Sequence, residues 1–234
     1  MRAAVFDVDR TLLDGMSGYL FARHLMRTGA MPLAGRWRSY KAVALYRLGL
    51  ADMMIIVAAG ATCVAGLTAA RVEQLAAAAV AEAMRPRFFA EGLAAIAAHR
   101  RRGDLVLLAT GSNSFVARAL AHEVGADDAV GTDCERDGER LLPRMARPAC
   151  VADGKKQLVL AWLAGRGVAP AEATVYTDNG IDLPLLEVVG EPVAVNADAE
   201  LAAEAARRGW RAESWTTTRD AARPRSGESW PLRR

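Results

Sequence analysis

The sequence predicts an α/β fold in which a parallel sheet is covered by helices on both faces and a helical bundle is inserted after the first strand. Three observations predict it. An apolar run beginning at Ala3 ends in the acids Asp7 and Asp9; residues 15–86 carry helical patterning with no strand among them; and from Phe88 onward helical segments alternate with short apolar runs. Such alternation builds parallel sheets buried on both faces. The expected divisions are a core of residues 1–14 and 87–215, an inserted helical unit of 15–86, and a flexible tail of 216–234.

In chain order, Met16 to Arg27 reads as an amphipathic helix closed by Gly29, and Trp37 to Leu48 as a second, ended by Gly49. Asp52 is the expected N-cap of a helix from Met53 to Val64, and Thr68 that of a helix from Ala69 to Met84. Phe89 to Arg102 follows, its carboxyl end rich in arginine, as the helix dipole favours. Leu105 to Leu108 reads as a buried strand and Phe115 to Val124 as a helix stopped by Gly125. Ala129 to Leu142 predicts a short strand and then a hairpin turning at Asp137-Gly138. Lys155 to Arg166, Leu183 to Val188 and Asp198 to Arg208 are expected helices, and Ala173 to Thr177 and Pro192 to Val195 expected strands. From Thr216 the chain has little to bury, which predicts flexibility.

The chain has 234 residues, of which 52% are hydrophobic and 24% charged, the balance of a soluble globular protein. A net charge of +3 from scattered cations does not predict nucleic-acid binding, which needs a clustered basic face. Lys41, Lys155 and Lys156 are the only lysines among 30 basic residues, so each is more informative than usual. Cys63, Cys134 and Cys150 lack zinc-site spacing and fit a reducing cytoplasm. No leader pattern follows Met1, and the apolar segment Met53 to Leu67 is shorter than the ~20 residues of a spanning helix. Stable membrane insertion is therefore not expected.

Side chains alternate along a strand, so Asp7 and Asp9 are expected to lean to one side at the carboxyl end of the first strand, where open α/β sheets bind ligands. Two close carboxylates repel unless a cation lies between them or one holds a proton. A divalent metal, with an acid–base role for one acid, resolves that conflict. Taken alone, Asp-Val-Asp at a strand end is an ordinary solvated turn. Three further polar sites downstream, in order, change the balance.

The pattern Asp7-x-Asp9-x-Thr11 resembles motif I of the haloacid dehalogenase superfamily. Thr110-Gly111, taken to sit one residue past a buried strand, resembles motif II. Gly154-Lys155-Lys156 resembles motif III, with Lys155 preferred and Lys156 the alternative. A lysine at a helix start is disfavoured by the dipole unless an anion is near. Asp178-Asn179-Gly180-Ile181-Asp182 resembles motif IV, and the residues from Glu187 to Trp210 look like the carboxyl-terminal section of the phosphoserine-phosphatase-like branch, subfamily IB. The resemblance runs from Ala3 to about Trp215. It implies a Rossmann-like core with a type-1 helical cap. It also implies a phosphatase in which Asp7 is the nucleophile and Asp9 the acid–base, while Thr110, Gly111 and Lys155 hold the phosphate. Mg²⁺ is implied on Asp7, Asp178 and the backbone carbonyl of Asp9, with Asp182 and Asn179 behind them. Arg10 stands where many members have glycine, and Asn179 replaces a usual small residue.

The implied substrate is a small phosphomonoester. Phosphoserine itself is not favoured, because Gly15 to Leu20 contains no acid to grip its amino group. Two other readings are carried: a lipid-phosphate phosphatase acting on a substrate such as phosphatidylglycerophosphate, suggested by the apolar segment near Trp37 and Tyr40, and a non-catalytic phospho-ligand-binding protein. Arg23, Arg36, Arg38 and Lys41 could meet an anion, but arginines on helices are usually solvated. His24, His99 and His122 have no partner at ligand spacing and are expected to be structural or exposed.

Overall fold

Every residue of the first strand, β1 (Ala3–Asp7), is buried, and its two faces feed two different cores. Ala4 and Phe6 belong to one apolar cluster, Ala3 and Val5 to the other, the alternation a strand imposes. The computed structural model of the chain describes residues 1–219.

β1 pairs in parallel with β2 (Leu105–Asn113) on one side and with β6 (Ala173–Thr177) on the other. β3 (Asp128–Thr132) extends the sheet beyond β2; β7 (Glu191–Val195) and β8 (Arg211–Glu213) extend it beyond β6, in the order β3-β2-β1-β6-β7-β8. All five pairings are parallel, which requires a crossover after each strand. The helices that supply cover on the two faces are α5 (Ala90–Arg101), α6 (Ser114–Val124), α7 (Asp153–Ala164), α8 (Leu183–Leu186) and α9 (Ala199–Arg208).

Between β1 and α5 lie four helices and no named strand: α1 (Ser17–Arg27), α2 (Leu33–Arg47), α3 (Met53–Cys63) and α4 (Ala69–Ala79). The Asp52 carboxylate accepts from the Met54 N–H at 2.9 Å and the Thr68 hydroxyl from the Arg71 N–H at 3.3 Å, so both expected N-caps are present. These helices share one continuous core with the sheet: Phe21, Leu25, Val64 and Val72 pack in the same cluster as Phe6, Leu108 and Phe115. The hairpin of β4 (Cys134–Asp137) and β5 (Arg140–Met145) ties them down further. Gly66 N–H donates to the Leu141 carbonyl at 2.7 Å, and Leu141 N–H to the Leu67 carbonyl at 2.9 Å.

Several expectations are corrected. α2 begins at Leu33 rather than Trp37, because Gly35 does not break it: a β-carbon there would lie 2.5 Å from the Thr62 carbonyl oxygen, so the glycine lets α2 cross α3 closely. The helix expected to reach Met84 is regular to Ala79 and then widens into a π turn over Val80–Met84, ahead of Pro86, which has no N–H to continue the ladder. The strand at Leu105 runs on to Asn113, with a register shift against β3 between Ala109 and Asn113. β8 was not expected at all; its three residues carry too little apolar pattern to be read.

The tail expectation also changes for Thr216 to Arg219. Ala90 N–H donates to the Thr217 carbonyl at 2.7 Å and Arg219 N–H to the Phe88 carbonyl at 2.8 Å, while the Glu91 carboxylate accepts from the Thr216 N–H at 3.0 Å. Backbone groups, not apolar burial, hold this stretch, which is why composition missed it. Residues 220–234 lie outside the described residues. Deleting residues 216–234 is expected to lower unfolding stability by about 1–3 kcal/mol, the worth of a few lost hydrogen bonds; an unchanged urea midpoint would show that Thr216 to Arg219 contribute nothing.

Candidate active site

β1 stops at Asp7, and the chain then folds back on itself. The N–H groups of Leu12 and Leu13 both donate to the Val8 carbonyl, at 3.0 and 2.9 Å, and Arg10 takes a φ of +62°, the left-handed region that glycine occupies at least cost. Asp9 therefore lies beyond the strand, not on it, although both acids still line one cavity. The turn fixes Asp9 differently from simple alternation: its Oδ1 accepts from the Ser17 N–H at 2.7 Å, at the start of α1. The Ser17 hydroxyl in turn meets that of Ser112 at 2.6 Å, linking the inserted helices to β2 beside the acids.

Lys155 sits in the first turn of α7 and is buried. Its Nζ donates to Asp7 Oδ1 at 2.8 Å and to Asp182 Oδ2 at 2.6 Å. Lys156 is not among the residues lining the cavity, so of the two candidates the structure brings Lys155 to the acids. The Thr177 hydroxyl donates to the same Asp182 oxygen at 2.7 Å, whereas Asp182 Oδ1 is buried with no hydrogen-bond partner among the described residues. Gly154 makes the placement possible. A β-carbon there would lie 1.9 Å from the Ala149 carbonyl oxygen, so only glycine lets α7 start this close to the preceding loop.

β6 ends at Thr177 and delivers Asp178, buried, to the same cavity. Asn179 lines the cavity and caps the turn beyond, its Oδ1 accepting from the Ile181 N–H at 3.0 Å. Thr110 departs from expectation. It lies inside β2, is fully buried, does not line the cavity, and its hydroxyl accepts from the Ser112 N–H at 3.1 Å. The helix after β2 is capped instead by Asn113, whose Oδ1 accepts from the Phe115 and Val116 N–H groups at 2.9 and 3.3 Å. Gly111, Ser112 and Asn113 are the residues of this segment that line the cavity, and Asn113 Nδ2 is buried without a partner among the described residues. Ser17, Ser112 and Asn113 were missed; a serine opening the first helix after the acid pair and an Asn-Ser helix start were the available signals.

Four carboxylates and one buried ammonium crowd the floor. Burial pushes the Asp7 carboxyl up, the Asp182 and Asp9 charges add to it, and Lys155 only partly offsets them, leaving it at about 7. Burial and then Asp7 hold Asp178 well above the usual carboxylate range, and burial raises Asp9 despite the Ser17 hydrogen bonds. For Lys155 burial works downward, but Asp182 and Asp7 outweigh it and keep the ammonium charged. Negative charge is thus in surplus, the condition under which a further cation binds. Among the described residues no three His, Cys, Asp or Glu side chains gather to hold a metal by themselves. Mg²⁺ does not require that; it takes one or two carboxylates and completes its octahedron with water and substrate oxygens. Asp7 and Asp178 fit that donor set.

Above the floor the cavity, about 600 Å³, rises between α1, α2 and α3. Its upper wall is largely apolar, with Leu20, Met26, Tyr40, Val43, Ile56 and Val57. Arg36 and Arg87 also line it, each with a buried Nε lacking a partner among the described residues.

Gly154→Ala is expected to destabilise the protein by at least about 1–3 kcal/mol, since backbone must move to admit the methyl group; an unchanged urea midpoint would show that the close approach is dispensable. Asp7 has a folded pKa of about 7, above its unfolded value. Its contribution to stability is therefore full at pH below the unfolded value and is lost as pH rises through about 7. In chelator-treated protein, the stability of wild type relative to Asp7→Asn should fall between about pH 4 and 7. A difference that is flat with pH, or rises, would contradict the crowding of the acids.

The family model described as "haloacid dehalogenase-like hydrolase" matches residues 4–187. A histidinol-phosphatase of Neisseria meningitidis serogroup C is 29% identical over 213 residues, covering 88% of this chain and 96% of the relative. The phosphoserine phosphatase SerB1 of Mycobacterium tuberculosis strain H37Rv is 28% identical over 232 residues, covering 94% of this chain and 73% of the relative. Among solved structures, a Bordetella pertussis Tohama I protein of unknown function superposes with a TM-score of 0.81 at 29% identity, covering 91% of this chain and 97% of that one. The match spans the acid pair, the buried lysine and both later aspartates, and on that footing the chain belongs to the haloacid dehalogenase-like hydrolases.

Proposed function

We propose that this phosphoric monoester hydrolase works through a covalent aspartyl-phosphate on Asp7, with Mg²⁺, on a small phosphorylated metabolite. The observation that carries the reading is the buried ammonium of Lys155 shared between Asp7 and Asp182 at the cavity floor. It orients Asp7 and supplies positive charge where a phosphate would rest. An oxygen of Asp7 attacks phosphorus in line while the bond from phosphorus to the ester oxygen breaks. Asp9, held at Oδ1 by Ser17 and biased toward its protonated form by burial, gives its proton to the departing alkoxide. It then takes a proton from the water that attacks the phosphoryl group, which leaves as inorganic phosphate and frees Asp7. Gly111, Ser112 and Asn113 line the cavity and would contact phosphate oxygens there, while the Thr110 hydroxyl fixes the segment from behind by accepting from the Ser112 N–H. Asp7, Asp178 and the Asp9 carbonyl would hold the Mg²⁺, which when bound would neutralise charge on the phosphoryl group, with Asp182 and Asn179 behind them.

Residues 15–86 form the cap in this reading and residues 1–14 with 87–215 the catalytic core. The names of the relatives suggest phosphorylated amino acids or amino alcohols as first substrates to test. The apolar upper wall favours a second class, amphiphilic phosphates that include lipid phosphates. Three buried free cysteines fit the reducing cytoplasm.

The purified protein should hydrolyse p-nitrophenyl phosphate only with Mg²⁺ present, and Asp7→Asn should reduce turnover at least about a thousandfold while leaving the circular dichroism spectrum unchanged. Retained turnover in Asp7→Asn would remove the nucleophile, and no turnover in wild type would favour a phospho-ligand-binding protein. A panel of soluble phosphomonoesters and micellar lipid phosphates then separates the two substrate classes.

A further inference from the structure

Helix α2 turns an apolar stripe to solvent that no other part of the described chain covers. Leu33, Trp37, Tyr40 and Leu48 are 74%, 78%, 63% and 70% exposed, and with exposed Ala44 they recur at the spacing of a single helical face. Exposed large side chains are ordinary when scattered; aligned on one helix they form a patch. Arg38 and Lys41 flank the stripe, both exposed and with no ion-pair partner among the described residues. The sequence around it is one-sided. Residues 15–51 hold Arg23, Arg27, Arg36, Arg38, Lys41 and Arg47 and not one acid. The small net charge of the chain conceals this, because the acids lie elsewhere.

We propose that α2 docks on an anionic lipid surface, with Leu33, Trp37 and Leu48 entering the headgroup boundary and Arg38 and Lys41 against the anionic headgroups. An apolar stripe bordered by cations, with an aromatic ring at the boundary, is the pattern of a helix lying in the plane of a membrane interface. A second copy of this chain is disfavoured as occupant, because its own acid-free face would bring like charges together. Nucleic acid would use the cations but leave Leu33 and Leu48 without a role. The docking is peripheral, since no described helix is long and apolar enough to cross a membrane. Tyr40 belongs both to the stripe and to the cavity wall, so the cavity rim lies at the docked face.

The test is flotation of the purified full-length chain with vesicles of phosphatidylcholine alone and of phosphatidylcholine with phosphatidylglycerol. Binding is expected on the anionic vesicles only and should weaken with added salt. Trp37→Ser should lower the partition coefficient roughly tenfold, and Arg38→Gln with Lys41→Gln roughly thirtyfold. No flotation, equal flotation on neutral vesicles, or no effect of either variant would overturn the proposal. So would sedimentation showing a dimer that Trp37→Ser dissociates, or tighter binding to single-stranded DNA than to anionic vesicles. Vesicle binding needs no turnover, so its failure is distinguishable from failure of the phosphatase reading.

Discussion

The contact on which the site depends is the buried ammonium of Lys155 between Asp7 and Asp182. Removing three charged groups from water is costly, and only close pairing with good geometry offsets it. Here the partners come from β1, from α7 and from the turn after β6, three segments far apart in the chain. Parallel pairing of β1 with β6 in fixed register brings two of them to the same edge of the sheet. The third reaches them because Gly154 and the left-handed Ala152, φ +49°, let α7 start against the preceding loop.

The ion pair does not neutralise the floor. Asp9 and Asp178 remain, and the surplus is visible in the raised carboxyls of Asp7, Asp9 and Asp178. Above them, α1 and α2 carry cations and no acids. An anion entering the cavity passes Arg36 and Arg87 in its lining before it reaches the acids and the Lys155 ammonium at the floor. Charge separation between rim and floor links the inserted helices to the chemistry without direct contact between their arginines and the acids.

The inserted helices are also mechanically continuous with the site. Ser17 joins Asp9 to Ser112, the hairpin of β4 and β5 bonds to the loop after α3, and one apolar cluster runs from Phe6 through Leu25 to Val72. A shift of α1 would therefore be felt at Asp9. The His99 ring bridges the Asp104 carboxylate and the Tyr176 hydroxyl at 2.8 and 2.9 Å and does not line the cavity. Its role is structural, as its lack of ligand spacing suggested.

The sequence by itself determined the alternating core, the four-helix insertion, the acid pairs and the one lysine that the dipole makes improbable without an anion, because periodicity, capping and charge are local properties. It could not distinguish Asp9 on a strand from Asp9 in a turn, since a left-handed residue at Arg10 leaves no mark in composition. Nor could it see that Thr110 lies within β2, where pairing with β3 prolongs the strand past its apolar run, or that Thr216 to Arg219 bond to the start of α5. Tertiary structure brought Lys155, the lysine the sequence already preferred, to the acids, and alone decided that Gly111, Ser112 and Asn113 rather than Thr110 face the cavity and which side of α2 is left bare. Those outcomes depend on partners distant in the chain, and only packing brings such partners together.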